Sequence, residues 1–217
     1  MPILTPSPKR HPAMSDAVRA MQEAKGSRAD YARIEARGPR ADLTPALRTV
    51  LAETRSLYLA TASADGQPYV QHRGGPPGFV TVLADTRLAF ADYAGNAQYV
   101  SAGNLTENPR VQLFVMDYMR QRRVKLWGTA RMVEADSEEL APFPTAEGAV
   151  VERAFVMDVT QWDMNCHHHI PQRFEAEDVT AKLAERDARI RALEAQVKVL
   201  EQKAWLREGC AGAGDFD

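Results

Sequence analysis

The 217-residue sequence contains only two cysteines, Cys166 beside a histidine run and Cys210 in a glycine-rich tail. Two cysteines in such different surroundings do not form a disulfide framework, and they favour a reducing cytoplasm. The sequence also lacks an apolar run of the ~18 to 20 residues that a membrane-spanning helix requires. Its Pro-rich start, Met1–Met14, has no apolar centre of the kind found in secretory signals. We therefore expect a soluble protein.

Charge of either sign is not in excess. The chain has 27 Lys and Arg against 29 Asp and Glu, a formal net charge of -2. This balance excludes a general attraction to nucleic acid or to acidic membranes, so any basic site must be local. A hydrophobic content of 45% is ordinary for a globular protein. At this length we expect one sizeable domain with extensions.

The stretch from Leu57 to Glu134 consists of short β-patterned runs separated by turn residues. The predicted strands are Leu57–Ala62, Tyr69–Arg73, Phe79–Leu83, Leu88–Ala91, Val111–Met116 and Val124–Val133. Only Gly95–Glu107 departs from this pattern and predicts one short helix, closed by Asn108-Pro109. Closely spaced antiparallel strands with a single helix predict a small β-barrel, since a parallel sheet needs a helix between each pair of strands.

The segments that flank the barrel carry weaker signals of helix and strand. The predictions in chain order are an extended arm over Met1–Ala13, a helix capped by Ser15 and ending at Lys25, a helix over Ala29–Arg37, a helix opened by Thr44-Pro45 and ending near Thr54, a loop over Ala135–Gly148, and a strand over Val150–Trp162. The third helix should pack against the barrel, because it leads directly into the first strand.

The C-terminal run Asp178–Glu208 predicts a long helix with a heptad repeat. The a positions are Leu183, Ile190 and Val197, and the d positions are Val179, Leu193 and Leu200, with only Arg186 out of character. This pattern favours a parallel two-stranded coiled coil, in which the g residues Lys182, Arg189 and Lys203 meet the e residues Asp187, Glu194 and Glu208. The alternative is one amphipathic helix lying on its own domain. The tail after Gly209 should be disordered.

Two stretches of the barrel could bind an anion. Gln71-His72-Arg73 ends a strand and enters a Gly-Gly-Pro-Pro-Gly turn, and arginine offers a planar fork suited to phosphate. An ordinary surface turn with a solvated arginine is the alternative. The second stretch runs from Asp92 to Asn104, where Gly95-Asn96 is predicted to open the helix and Ser101 adds a polar group. A purely structural turn is the alternative there.

Two further clusters carry groups that do chemistry. Arg120-Gln121-Arg122-Arg123 with Lys125 is a cationic hairpin, and alternation places Arg123 and Lys125 on one face of the strand. His167-His168-His169 lies beside Cys166. Consecutive residues point to different sides of an extended chain, so they are poorly placed to ligate one ion and no metal is expected.

Four short runs occur in a characteristic order and spacing between Ala60 and Glu134. They are Asp65-Gly66-Gln67-Pro68-Tyr69, Leu88-Ala89-Phe90, Asn104-Leu105-Thr106-Glu107-Asn108-Pro109-Arg110-Val111, and Arg123 to Ala130 with its final Gly-Thr-Ala. Together they resemble the pyridoxamine 5′-phosphate oxidase-like family of FMN-binding split β-barrels. The QHRGGPPGF run and the segment Trp162–Phe174 resemble a bacterial branch described mostly as flavin-nucleotide-binding.

The resemblance implies an α+β fold, mainly β with helices: an FMN-binding split β-barrel with N-terminal helices and a C-terminal coiled-coil helix. It also implies a homodimer with two FMN sites at its interface. The arginine of the second strand and the turn before the helix would hold the phosphate, and the strand near Arg123 would reach the flavin from the partner subunit. The implied boundaries are residues 1–54 for the arm and helices, 55–174 for the barrel, 178–208 for the coiled coil and 209–217 for the tail.

The resemblance includes departures that change the expected site. Ser101 occupies the place of the family's phosphate-binding lysine, Arg123 replaces a glutamine that faces the flavin, and the family's C-terminal substrate elements are absent. We therefore expect the phosphate at Arg73 and at the backbone around Asn96, and a substrate other than pyridoxamine phosphate.

Under this resemblance the residues expected to bind FMN are Gln71, His72, Arg73, Gly75, Ala91, Asp92, Gly95, Asn96, Ser101, Asn104, Arg123, Lys125 and Trp162. The candidates for a catalytic role are Arg123 and His169. The leading hypothesis is an FMN-dependent oxidoreductase acting on a small substrate or on NAD(P)H. The alternative is a non-catalytic flavin- or haem-binding dimer that serves as a carrier or sensor.

Overall fold

A computed structural model of the chain describes residues 11–146, 148–165 and 168–211. It divides into two compact units, one extending to Pro171 and one beginning at Gln172. Within the described ranges, every helix is too short or too polar to cross a lipid bilayer. The predictions for the N-terminal arm up to residue 10, for Cys166 and His167, and for the end of the tail lie outside these ranges.

The first unit is built on one seven-stranded antiparallel sheet. Its strands are β1 Ser56–Ala62, β2 Pro68–Gly74, β3 Val80–Ala84, β4 Arg87–Tyr93, β5 Arg110–Asp117, β6 Arg122–Glu134 and β7 Val151–Asn165. Their order across the sheet is β2-β1-β5-β6-β7-β4-β3. Each predicted strand is present, and the predicted α+β fold is confirmed.

The helices are α1 Asp16–Ala24, α2 Arg28–Glu35, α3 Pro45–Glu53, α4 Val100–Glu107 and α5 Ala176–Ala211. Two predicted caps are confirmed. The Ser15 hydroxyl accepts a hydrogen bond from the Val18 N–H, and the Thr44 hydroxyl accepts one from the Leu47 N–H with Pro45 at the first helical position. Each cap satisfies an amide that the helix itself leaves without a partner.

The start of α4 differs from the prediction. Gly95-Asn96 does not open the helix, which begins instead at Val100. Ala97 and Tyr99 adopt φ angles of 55° and 51°. These left-handed conformations cannot belong to a right-handed helix, so they delay its first turn.

Strand register defines an inner and an outer face of the sheet. Leu57 and Leu59 of β1 are fully buried, and they pair with Val115 and Leu113 of β5. Their side chains form the inner face, on which α3 packs Leu47. Each such leucine contributes about 2 kcal/mol through burial.

The same register sorts the predicted site residues. Arg73 pairs with Leu57 and therefore lies on the inner face. His72 pairs with Tyr58, and Lys125 pairs with Phe114 in the same outer row. The outer face therefore carries His72 and Lys125, and a single sheet separates them from Arg73.

Candidate functional site

A cleft of about 230 Å³ lies between the end of β2, the end of β4 and the start of α4. We call it the β2–α4 cleft. It brings together five of the residues predicted to bind the cofactor, which are Gln71, Arg73, Asp92, Gly95 and Asn96. Residues from three separate elements thus share one concave surface, as binding sites require.

Arg73 is the central cation of this cleft. Its guanidinium is ion-paired with Asp92, and its second terminal nitrogen donates to the Gln71 Oε1 atom at 2.8 Å. The guanidinium carbon lies 4.9 Å from the centre of the Phe155 ring. The Nε–H of Arg73 is buried and has no hydrogen-bond partner among the described residues. Arg73 is therefore held in one orientation with a donor still to be satisfied.

Asp92 links two arginines. Its side chain is only 7% exposed, and its other oxygen accepts a hydrogen bond from Arg153 at 3.2 Å. Arg153 also approaches Glu152 at 3.6 Å and lies 4.9 Å from the centre of the Tyr99 ring. Two arginines and two carboxylates therefore balance in charge around the cleft.

The N-terminus of α4 presents free amides to the same cleft. No described side chain caps this helix, and Ala102 of its first turn lines the cleft. Ala97 and Tyr99, which precede α4, have left-handed backbone conformations and line the cleft. An uncapped helix N-terminus attracts anions through its N–H groups and its dipole. Strained backbone of this kind at a cleft is typical of functional sites.

Ser101 and Asn104 attach α4 to the sheet. The Ser101 hydroxyl is fully buried and donates to the Gln71 Oε1 atom at 2.9 Å. The Asn104 amide donates to the Thr61 hydroxyl at 2.9 Å. Neither residue lines the cleft, and these contacts hold α4 against β2 and β1.

Gly75 and Ala91 form the packed floor beside the cleft. A Cβ atom on Gly75 would lie 2.7 Å from Phe79 and 2.8 Å from Tyr93. Ala91 is buried, and its N–H donates to the Phe79 carbonyl. Tyr93 donates its hydroxyl proton to the Pro144 carbonyl at 2.5 Å, and burial raises the pKa of this phenol. Small residues are required here because the aromatic rings leave no space.

Three further predicted site residues, His72, Arg123 and Lys125, lie on the outer face. Lys125 approaches Asp163 at 3.4 Å, and the Nε atom of Arg123 is buried without a partner in the described part of the chain. His72 is exposed, and its ring meets the Tyr58 ring edge-on at 5.8 Å. Within one chain these residues and Arg73 face different sides of the sheet.

Trp162 and His169 lie away from the β2–α4 cleft's lining. Trp162 is 2% exposed, and its indole N–H donates to the Asp42 carbonyl at 2.8 Å while Arg40 stacks on its ring. It therefore anchors the segment before α3. His169 is exposed in a turn, with a φ angle of 62°.

Sequence reasoning missed Arg153 and His11. Arg153 follows Glu152 at the start of a strand that continues with the apolar run Ala154–Met157, and a charged pair beside that run is the only local signal for it. His11 packs its ring edge-on against Trp127 at 4.9 Å. Burial lowers the pKa of His11. A histidine in a Pro-rich arm carries no local signal for such a contact.

Comparison with known proteins gives two results. The model of the family described as pyridoxamine 5′-phosphate oxidase matches residues 43–166. No curated protein matches the chain.

Among the solved structures that match, three show how distant the likenesses are. A pyridoxamine 5′-phosphate oxidase-related, FMN-binding protein from Nostoc punctiforme is 16% identical, with 58% of this chain and 84% of that chain covered and a TM-score of 0.40. A variant of HupZ from Group A Streptococcus is 16% identical, with 57% and 99% covered and a TM-score of 0.44. The haem storage protein HutZ from Vibrio cholerae is 18% identical, with 57% and 94% covered and a TM-score of 0.37.

The family match covers most of the sheet-forming unit. It begins before α3 and ends beyond the last residue of β7. Because residues 43–166 make up more than half of the 217 residues, the chain belongs to the pyridoxamine 5′-phosphate oxidase family.

Proposed function

We propose that the protein is a homodimeric FMN-dependent oxidoreductase that acts on a small organic substrate or on NAD(P)H. The observation that supports it best is the convergence of Arg73 and the uncapped start of α4 on one cleft. Both features recognise a terminal phosphate, the first by charge and fork geometry and the second by amide donors.

The size of the β2–α4 cleft supports a site shared between two chains. Its volume of about 230 Å³ is below the ~300 to 1,000 Å³ of pockets that enclose a whole cofactor. The cleft therefore suits the phosphate end of FMN, and the ring would need a second surface. The outer face near Arg123 and Lys125 of a partner subunit could supply that surface, as the family resemblance implies.

A phosphate in the cleft would replace carboxylate contacts of the two arginines. A phosphate monoester carries close to two negative charges at neutral pH. Arg73 lines the cleft and offers a cation to such a group. Arg153 lies on the other side of Asp92 and adds a second cation. Competition from Asp92 and Glu152 makes the affinity dependent on the α4 amides.

The residues of this chain would bind the cofactor and adjust its surroundings. FMN, when bound, supplies a ring that accepts and releases hydride. Arg123 would place a cation beside this ring, and His169 would hold a proton for transfer to or from the substrate. Arg73 and the start of α4 would orient the phosphate end, so that the ring is presented in one position.

Replacement of Arg73 tests the phosphate site. We expect Arg73→Ala to lose most of its FMN, because the cleft would then keep two carboxylates against one arginine. The matched control is Arg87→Ala, which removes an exposed arginine paired with Asp158. Flavin absorbance per protein chain is the measurement. Full flavin occupancy in Arg73→Ala would overturn the proposed site.

A non-catalytic flavin carrier or sensor is the second candidate. The observation that favours it is that two titratable groups of the cleft already have partners. Asp92 is ion-paired with two arginines, and the Tyr93 hydroxyl donates a hydrogen bond to a carbonyl. Bleaching of the purified yellow protein by NADPH, with recovery in air, would support the enzyme. FMN that stays oxidised with NADPH and with candidate substrates would support the carrier. A Soret absorption band in the purified protein would show that the cofactor is haem and not FMN.

A further inference from the structure

The geometry points to a parallel coiled coil between α5 of this chain and α5 of a second copy. α5 contains 36 residues, which corresponds to a length of about 54 Å at 1.5 Å per residue. Six apolar side chains on it are between 42% and 64% exposed: Val179, Leu183, Ile190, Leu193, Val197 and Leu200. We call this row the seam.

The spacing of the seam is that of a two-stranded supercoil. Its residues alternate at intervals of three and four, apart from one interruption at Arg186. A helix with this period keeps one face toward a partner along its whole length. β-branched residues at two a positions and leucine at two d positions favour two strands in parallel.

Charge decides both the orientation and the identity of the partner. Every g position that flanks the seam is basic or neutral, as shown by Lys182, Arg189, Gln196 and Lys203. Every e position from 187 onward is acidic, as shown by Asp187, Glu194, Glu201 and Glu208. In a parallel pair each g residue meets the e residue five positions later in the partner, so cations face carboxylates.

An antiparallel pair would place g against g and e against e. Arg189 would then approach basic residues, and Glu194 would approach acidic ones, which is destabilising. A second copy of the same helix in parallel supplies both complementary rows at once. The pattern therefore specifies a copy of this chain as the occupant of the seam.

Cysteine cross-linking tests the orientation. The full-length chain would carry Cys166→Ser and Cys210→Ser, with either Leu200→Cys at a d position or Val199→Cys at the neighbouring c position. A disulfide needs Cα atoms within about 7 Å. In a parallel pair Leu200→Cys faces its own copy, whereas Val199→Cys, whose native side chain is 48% exposed, points away from the seam.

We expect the disulfide-linked dimer of Leu200→Cys to form about tenfold faster than that of Val199→Cys, because a d position approaches its own copy within bonding distance and a c position does not. Equal rates in both variants, or no linked dimer in either, would overturn the proposal. Cross-linking only in a mixture of Leu183→Cys and Leu200→Cys chains would show an antiparallel pair and would also overturn it.

Two substitutions with opposite expected effects on self-association separate loss of the coiled coil from misfolding. We expect Leu193→Lys to weaken self-association about tenfold, because it puts a charge at an apolar d position of the seam. We expect Arg186→Leu to strengthen self-association by a similar factor, because it replaces the one charged d position of the seam by an apolar residue. Val199→Lys is the control. Sedimentation equilibrium measures the dissociation constant, and unchanged values in both seam variants would contradict the seam. Flavin occupancy is measured separately, so the failure of the FMN proposal and the failure of the coiled-coil proposal would be distinguished.

Discussion

The ion-pair cluster around Asp92 offers the most direct test of the site's energetics. Asp92→Asn removes the carboxylate but keeps the size of the side chain. Arg73 and Arg153 then lose their shared anion, and Glu152 stays within 3.6 Å of Arg153 only. The side chains of the two arginines are 16% and 23% exposed. Leaving a buried partner unpaired costs about 3 to 5 kcal/mol. Because both arginines keep some access to water, we expect a loss of about 2 to 3 kcal/mol in the free energy of unfolding.

Urea unfolding, followed by circular dichroism, measures this loss. With a slope of about 2 kcal/mol per molar urea, the midpoint should fall by about 1 M. The matched control is Asp158→Asn, since its pair with Arg87 is about half exposed on both sides. We expect the control to change the unfolding free energy by less than ~1 kcal/mol.

Inorganic phosphate separates the binding role of the cluster from its structural role. Without the Asp92 carboxylate, the two arginines are free to pair with an added anion, so phosphate should raise the midpoint of Asp92→Asn more than that of the wild type. An Asp92→Asn midpoint equal to the wild-type value would refute the assigned cluster. If the midpoint of Asp92→Asn is lowered but phosphate raises it no more than it raises the wild-type midpoint, Asp92 has a structural role only.

Two predictions concern the scaffold and pH. Gly128→Ala should lower the free energy of unfolding by about 3 kcal/mol, since overpacking strains the strands and the new Cβ would lie 2.0 Å from the Asp158 carbonyl oxygen. Urea unfolding measures this loss, and Gly103→Ala is the control because a Cβ atom at Gly103 would meet open space. A hydrogen bond from Arg28 lowers the pKa of Glu35 below its ordinary value of 4.5. The stability that this carboxylate contributes is present above 4.5 and is lost as pH falls through the lower folded value. Glu35→Gln should therefore show a smaller loss of thermal midpoint on acidification below 4.5, and an unchanged acid profile would contradict this pairing.

Local patterns in the sequence were enough to predict the elements of the fold. Strands alternate with Gly, Pro and Asn turns, and the caps at Ser15 and Thr44 depend on contacts only three residues away. Such short-range chemistry is legible in one sequence because the interacting groups are neighbours along the chain. The heptad pattern of α5 is legible for the same reason.

The arrangement of the candidate site depended on strand pairing. Arg73 and Arg123 were both predicted to contact one cofactor, yet the register puts one on the inner face and the other on the outer face. A shift of one residue would reverse either assignment, and no local signal specifies it. The contact between Asp92 and Arg153 spans 61 positions along the chain.

The sequence by itself determined which stretches form strands, turns and helices, because those choices depend on nearby residues. Only the tertiary structure decided that α4 begins at Val100 and that Trp162 anchors the segment before α3. It also decided which arginines share a cleft. These outcomes depend on backbone conformation and on contacts between residues far apart in the chain, where packing of the whole sheet outweighs local preference.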